Sequence, residues 1–217
     1  MCYNKHMDAY RHNSELENLK SVTGFLIAAN VLWFLFVTVF GPTESSDVLI
    51  RWGALYTPYV EEGAWWRLLS CMFLHSGIRH LMNNMITLFA LGAMLENEAG
   101  PVKYMLIYFL GGIAGSAAEY ALSLRRGEPV VAVGASGAVF AVLGGLIWVL
   151  IANKGRIPGM SIRRLLIYAA LSIYFGFASG GVANGAHIGG MIAGFLISLL
   201  LYRKRDVGGE NAFTAQS

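Results

Sequence analysis

The sequence predicts an all-α polytopic membrane protein: a bundle of six transmembrane helices with an interfacial first loop. Composition is the first reason. Of 217 residues, 56% are hydrophobic and 13% charged, with a mean hydropathy of +0.54. That is about half the charge expected of a soluble domain. The second reason is that the apolar residues come in runs rather than in alternation, at roughly 22–40, 77–95, 102–124, 130–152, 163–178 and 182–202. Each run is near the length of about 17–25 residues with which a helix crosses the hydrocarbon.

Taken in order, the first run follows some 20 polar residues and has no small-residue cleavage site after a short apolar core. It therefore reads as a retained helix rather than a signal peptide. The loop at roughly 41–66 is the longest connection, and Trp52, Tyr56, Tyr59, Trp65 and Trp66 give it the aromatic character of a segment in the headgroup region. A rigid wedge in the outer leaflet is the expected form, although a plain interfacial anchor has the same composition. The fifth run is short and carries Ser172 and Tyr174. Six helices with short connections nearly use up the chain, which gives an N-terminal tail at 1–21, one membrane domain at 22–203 and a C-terminal tail at 204–217. Both tails are polar and expected to be flexible.

Lysine and arginine set the orientation. With the N-terminus cytoplasmic, the cytoplasmic side holds Lys5, Arg11, Lys20, Lys103, Lys154, Arg156, Arg163, Arg164, Arg203, Lys204 and Arg205. The other side holds Arg51, Arg67, Arg79, Arg125 and Arg126. This asymmetry satisfies the positive-inside rule and makes both termini cytoplasmic. The net charge of +3 reflects topology, and nothing in the chain suggests nucleic-acid binding.

The second, fourth and sixth runs then enter from outside, and each carries its polar residues early: His80, Asn83 and Asn84; Ser136; His187. Polar side chains inside a bilayer are costly and tend to be functional. A hydroxyl and an imidazole at matched depth suit a nucleophile and its base. Hydrolysis at that depth needs a water-filled hollow open to the outer side. Small residues allow close approach: Ala183, Gly190 and Gly194 share the face of His187, while Gly137, Ala141, Gly144 and Gly145 stand beside Ser136. Alone, Gly134-Ala135-Ser136-Gly137 is also an ordinary helix-packing pattern, and a lone histidine near a helix end is commonly a packed residue. Their coincidence with His80 and Asn84 favours catalysis.

Acyl transfer also needs donors for an oxyanion. His80 and Asn84, four residues apart, share a helix face and can both donate, and the backbone N–H of Ser136 near a helix start offers another. The same two side chains would also serve as glue between helices. Glu96 and Glu119 are the acidic residues in or at the edge of the apolar runs, and neither sits in a pattern adjoining His187. The expectation is a Ser-His dyad rather than a triad. His75, His80 and His187 lack an intramembrane carboxylate in a ligand pattern, so no metal and no cofactor is expected. Cys2 and Cys71 fall on opposite sides of the membrane, cannot pair within the chain and are not expected nucleophiles.

In this order the residues resemble the rhomboid family of intramembrane serine proteases. The likeness runs from about Trp52 to Tyr202, through Trp65-Trp66-Arg67, Phe73-Leu74-His75, His80-Leu81-Met82-Asn83-Asn84, Gly92 with Glu96 and Gly100, Gly134-Ala135-Ser136-Gly137 and Gly185-Ala186-His187-Ile188-Gly189-Gly190. The resemblance implies a six-helix bundle with Ser136 as nucleophile, His187 as base and then acid, and His80, Asn84 and the Ser136 N–H around the oxyanion. It implies structural roles for Trp66, Arg67, Glu96, Gly190 and Gly194. It also implies that the partners are transmembrane protein substrates, cut near their outer membrane boundary at small residues in segments that unwind easily. Phe73, Leu74 and the chain near 176–183 would frame substrate entry, with a movable fifth helix.

Two positions depart from the family pattern. Phe140 stands where many bacterial members carry a tyrosine that stacks on the catalytic imidazole, so the ring is kept and the hydroxyl lost. Ala64 stands where an acidic residue is common, with Glu61 and Glu62 just upstream. The compact form suggests a bacterial inner membrane, and no feature specifies an oligomeric state. The competing function is a catalytically silent, client-binding relative, disfavoured because serine and histidine are both present. A small transporter would carry polar residues on to the inner leaflet and show repeat symmetry, and neither is seen.

Overall fold

Each of the six apolar runs contains a helix of 17 residues or more in the computed structural model, which describes residues 21–155, 157, 161–179 and 183–203. Residues 1–20 and 204–217, with the lysines, arginines and Cys2 they carry, Arg156 and residues 180–182 lie outside the described residues, as do the side chains of 175–179. In chain order the helices are α1 (Val22–Thr38), the short α2 (Ser46–Arg51), α3 (Thr57–Glu61) and α4 (Arg67–Ser70), then α5 (Gly77–Ala99), α6 (Pro101–Arg126), α7 (Ser136–Ala152), α8 (Ile162–Ser179) and α9 (Asn184–Leu201). By length and composition, α6 and α9 suffice to cross a membrane, and α1 and α7 are apolar but shorter, at 17 residues each.

α7 is the axis of the bundle, with 12 of its 17 residues buried. α6 and α9 clasp it, and small residues set how closely. A Cβ at Gly190 would run into the carbonyl oxygen of Gly137, at Gly194 into that of Ala141, and at Gly144 into that of Met191. A Cβ at Gly115 would come within 2.6 Å of the Ala186 carbonyl oxygen. The three backbones therefore meet at distances that no larger side chain allows. The core is apolar, with Leu88, Leu95, Ile107, Leu143, Leu146 and Leu150 fully buried. Phe25, Leu32, Leu35, Phe89, Leu166, Ile192, Leu196 and Leu200 face outward, which suits a hydrocarbon solvent.

The fourth run does not begin as a helix. Pro129 precedes three valines among residues 130–133, and Val131–Ala132 form β2, paired antiparallel with β1 (Leu55–Tyr56) in the register Leu55 to Ala132 and Tyr56 to Val131. β-Branched residues favour this extended path. Gly134 then turns the chain at φ +117°, a conformation that disfavours any side chain, and α7 starts at Ser136. The expectation of a helix from residue 130 is corrected accordingly.

The first loop is built around Arg67. Its Nη1 donates to the carbonyl oxygens of Ile50 and Ala54, both at 2.8 Å, and its guanidinium lies over the rings of Trp66 and Tyr59 at 4.7 and 4.8 Å. Ser70 Oγ donates to the Gly53 carbonyl at 2.6 Å. Trp52 packs on Phe36 of α1 and on Phe40 just beyond its end. Thr57 extends the strand pairing: its N–H donates to the Val130 carbonyl and its Oγ1 accepts the Val130 N–H. The loop is thereby tied to the segment that presents Ser136.

Candidate active site

Ser136 is the first residue of α7, and His187 lies in the first turn of α9. The close contacts of Gly137 and Ala141 with Gly190 and Gly194 bring the two turns together. His187 Nε2 lies 2.9 Å from Ser136 Oγ, a hydrogen bond in which the ring nitrogen can act as acceptor. Phe140, one turn below Ser136, stacks on the imidazole at 4.3 Å between centroids and 6° between planes. His187 Nδ1 is buried with no hydrogen-bond partner among the described residues, so no carboxylate completes a triad there.

α5 faces this pair across the Gly134 turn. A Cβ on Gly134 would come within 2.7 Å of His80 Cε1 and Nε2 and 3.7 Å of Asn84 Nδ2, so both polar side chains converge on the backbone just before Ser136. The Ser76 N–H donates to His80 Nδ1 at 3.4 Å, which leaves Nε2 to carry the proton of the neutral ring. Asn84 Nδ2 gives one hydrogen to the His80 carbonyl at 3.0 Å and keeps a second to donate. The turn is fixed from behind: the Gly134 N–H donates to the Cys71 carbonyl at 2.9 Å, and the Ala135 N–H to His75 Nε2 at 3.4 Å. His75 also meets His80 edge-on at 5.2 Å. Burial, with His80 beside it, lowers the His75 pKa to about 3.

The groups open onto a cavity of about 940 Å³, lined among others by Ser76, His80, Asn83, Asn84, Ser136 and His187. It admits water to a hydroxyl–imidazole pair that is otherwise enclosed by protein. On its far wall Thr87 Oγ1 of α5 and Tyr168 Oη of α8 lie 3.2 Å apart. Cys71 takes no part: burial pushes its pKa up to about 11, partly offset by a hydrogen bond with Ser116. Among the described residues no group of three or more His, Cys, Asp or Glu could hold a metal ion.

The predicted structural residues sit at junctions. Glu96 Oε1 accepts the Val22 N–H at 2.8 Å, and Oε2 accepts the Thr23 N–H and hydroxyl at 2.9 and 2.7 Å, so α5 caps the start of α1. Glu119 also departs from the sequence reading, for it does adjoin the histidine helix. It is buried, and its Oε2 accepts the Ala186 N–H at 3.2 Å, one residue before His187. A spacing rule within one segment misses this contact because the partner is a main-chain N–H 67 residues away. Arg67 was singled out, but its carbonyl partners carry no residue signature. Phe73 is partly buried and Leu74 buried, while the other side of the expected entry, around 176–183, falls largely outside the described side chains.

Known proteins align with these features. A family model described as a rhomboid domain matches residues 62–204. The Rhomboid protease GluP of Bacillus subtilis (strain 168) is 34% identical over 179 residues, which cover 82% of this chain and 34% of that protein. RHOMBOID-like proteins 5 and 2 of Arabidopsis thaliana are both 38% identical, over 173 and 186 residues. Those matches cover 77% and 82% of this chain and 54% and 55% of the relatives. The chain thus spans about a third to just over half the length of these proteins.

Proposed function

The chain belongs to the rhomboid family, a family of multi-pass integral membrane proteins, and from that premise we propose that it is an intramembrane serine endopeptidase working with a Ser136–His187 dyad. The observation that carries the reading is the 2.9 Å hydrogen bond between Ser136 Oγ and His187 Nε2 at the edge of the cavity. Its substrates are transmembrane proteins, unwound and cut in or near the outer part of the bilayer.

In the first half-reaction Ser136 Oγ attacks the scissile carbonyl carbon while His187 Nε2 takes its proton. The tetrahedral oxyanion is met by the Ser136 N–H, the free hydrogen of Asn84 Nδ2 and His80 Nε2–H. Collapse breaks the C–N bond, and the imidazolium gives its proton to the leaving amine. Water from the cavity, deprotonated by the same nitrogen, then hydrolyses the acyl-enzyme and returns Ser136. Phe140 keeps the ring in plane throughout. Because Nδ1 has no acceptor among the described residues, the ring's orientation depends on this stacking and on the main chain of α9.

The excess of lysine and arginine on alternate connections supports six spans with both tails, 1–21 and 204–217, cytoplasmic, and the compact six-helix form is the ground for a bacterial inner-membrane location. No cofactor or metal enters the reaction. The reading is tested by treating purified protein with a fluorophosphonate and mapping the adduct by mass spectrometry. Labelling at Ser136 that disappears in His187→Ala is expected. Unlabelled Ser136 in folded protein would favour the silent, client-binding relative.

A further inference from the structure

α9 has no side-chain cap of its own. Ala183 stands at its N-cap position with no side-chain hydrogen bond, yet its fourth residue is the proposed base. One amide of that first turn is also served by α6. Glu119 Oε2 takes the Ala186 N–H at 3.2 Å, a hydrogen shared with the Ala183 carbonyl at 3.0 Å. The fit is close: a Cβ on Gly185 would lie 2.5 Å from the same carboxyl oxygen and 3.2 Å from Glu119 Cα. One turn earlier on α6, Gly115 meets the Ala186 carbonyl and the Gly190 backbone. Glu119 is 4% exposed and also lines the cavity shared by Ser136 and His187.

We propose that Glu119 is a positioning residue for the dyad, holding the first turn of α9 so that His187 Nε2 meets Ser136 Oγ; the inference rests on the protease reading. In a triad a carboxylate orients the imidazole through Nδ1. Here Nδ1 is unpartnered among the described residues, and a carboxyl oxygen acts instead on the main chain beside the histidine. The contact supplies a buried acceptor to a helix-end amide. What the site requires is therefore an acceptor oxygen at residue 119, rather than a group that exchanges protons with substrate. A shift of the turn by about 1 Å would open the Ser136–His187 bond, a misplacement that can cost about a hundredfold in rate.

The test compares Glu119→Gln, Glu119→Leu and Glu119→Ala with wild type on a single-span substrate in proteoliposomes, with kcat and KM separated. Gln keeps an acceptor oxygen and should retain kcat within about threefold. Leu and Ala should lose about ten- to a hundredfold in kcat with KM nearly unchanged, and should slow fluorophosphonate labelling of Ser136 in proportion. If Leu does not fold, Ala, which leaves room for water at the Ala186 N–H, carries the comparison. Full kcat in Leu or Ala, or a loss in Gln equal to that in Ala, overturns the proposal. A wild type that neither cleaves nor labels removes the protease reading and this inference with it, whereas an active wild type beside a full-speed Ala variant removes the inference alone.

Discussion

Phe140 lies flat against His187, with ring planes 6° apart and centroids 4.3 Å apart. In a site whose imidazole has no partner at Nδ1 among the described residues, that stacked face is the main side-chain restraint on the ring besides the serine itself.

Phe140→Ala should therefore lower kcat/KM by about two- to tenfold, the range expected for an aromatic pair of about 0.5–1.5 kcal/mol. Phe140→Tyr should stay close to wild type, because the ring is preserved. Steady-state kinetics on a fluorogenic single-span substrate measure both.

Asn84→Ala should reduce kcat by about a hundredfold with little change in KM, since the Nδ2 donor acts on charge that develops only in the transition state. His80→Ala should fall in the same direction. Equal losses in KM and none in kcat would assign these side chains to substrate binding instead.

Glu96→Ala should destabilise the fold rather than the chemistry. It removes the acceptor of two backbone N–H groups and one hydroxyl at the start of α1, contacts worth about 2 kcal/mol together at a helix terminus. A lower thermal midpoint in detergent, with kcat per folded molecule unchanged, is the expected result.

Gly190→Ala should be more severe, because the added methyl meets the Gly137 carbonyl oxygen and forces α7 and α9 apart. Overpacking of this kind costs about 1–3 kcal/mol. The separation also opens the Ser136–His187 bond, so thermal stability and cleavage should fall together.

His75 sets a pH dependence of stability. Its imidazole is held near pKa 3 by burial, against an ordinary 6.5. The unfolded chain therefore takes up the proton first. The stability of the neutral, buried ring is intact above about pH 6.5 and falls by up to about 1.4 kcal/mol per pH unit as the pH drops towards 3. Thermal midpoints measured from pH 7 to 5 should decline less steeply in His75→Gln than in wild type.

Much of this site is legible in the chain itself. Ser136 and His187 stand out because a hydroxyl and an imidazole are conspicuous against apolar runs, and Gly190, Gly194 and Gly137 announce close helix approach. The start of α7 was harder to read. Val130, Val131 and Val133 are as apolar as a helix face, and only the pairing of Val131–Ala132 with Leu55–Tyr56 makes a strand there. Arg67 and Glu119 share another difficulty, since both act on backbone groups. A carbonyl or an N–H is present at almost every position, so spacing cannot reveal which one is used. Ala64 removes a family carboxylate, yet the loop is pinned by Arg67 to two carbonyls and by the strand pairing to the segment before Ser136.

The most direct measurement is cleavage of a model single-span substrate in proteoliposomes by wild type, Ser136→Ala and His187→Ala, with the fragments identified by mass spectrometry. The dyad predicts a cut near the substrate's outer membrane boundary by wild type alone, with both variants folded and inactive. Cleavage that survives either substitution, or no cleavage by folded wild type across several substrates, would contradict it.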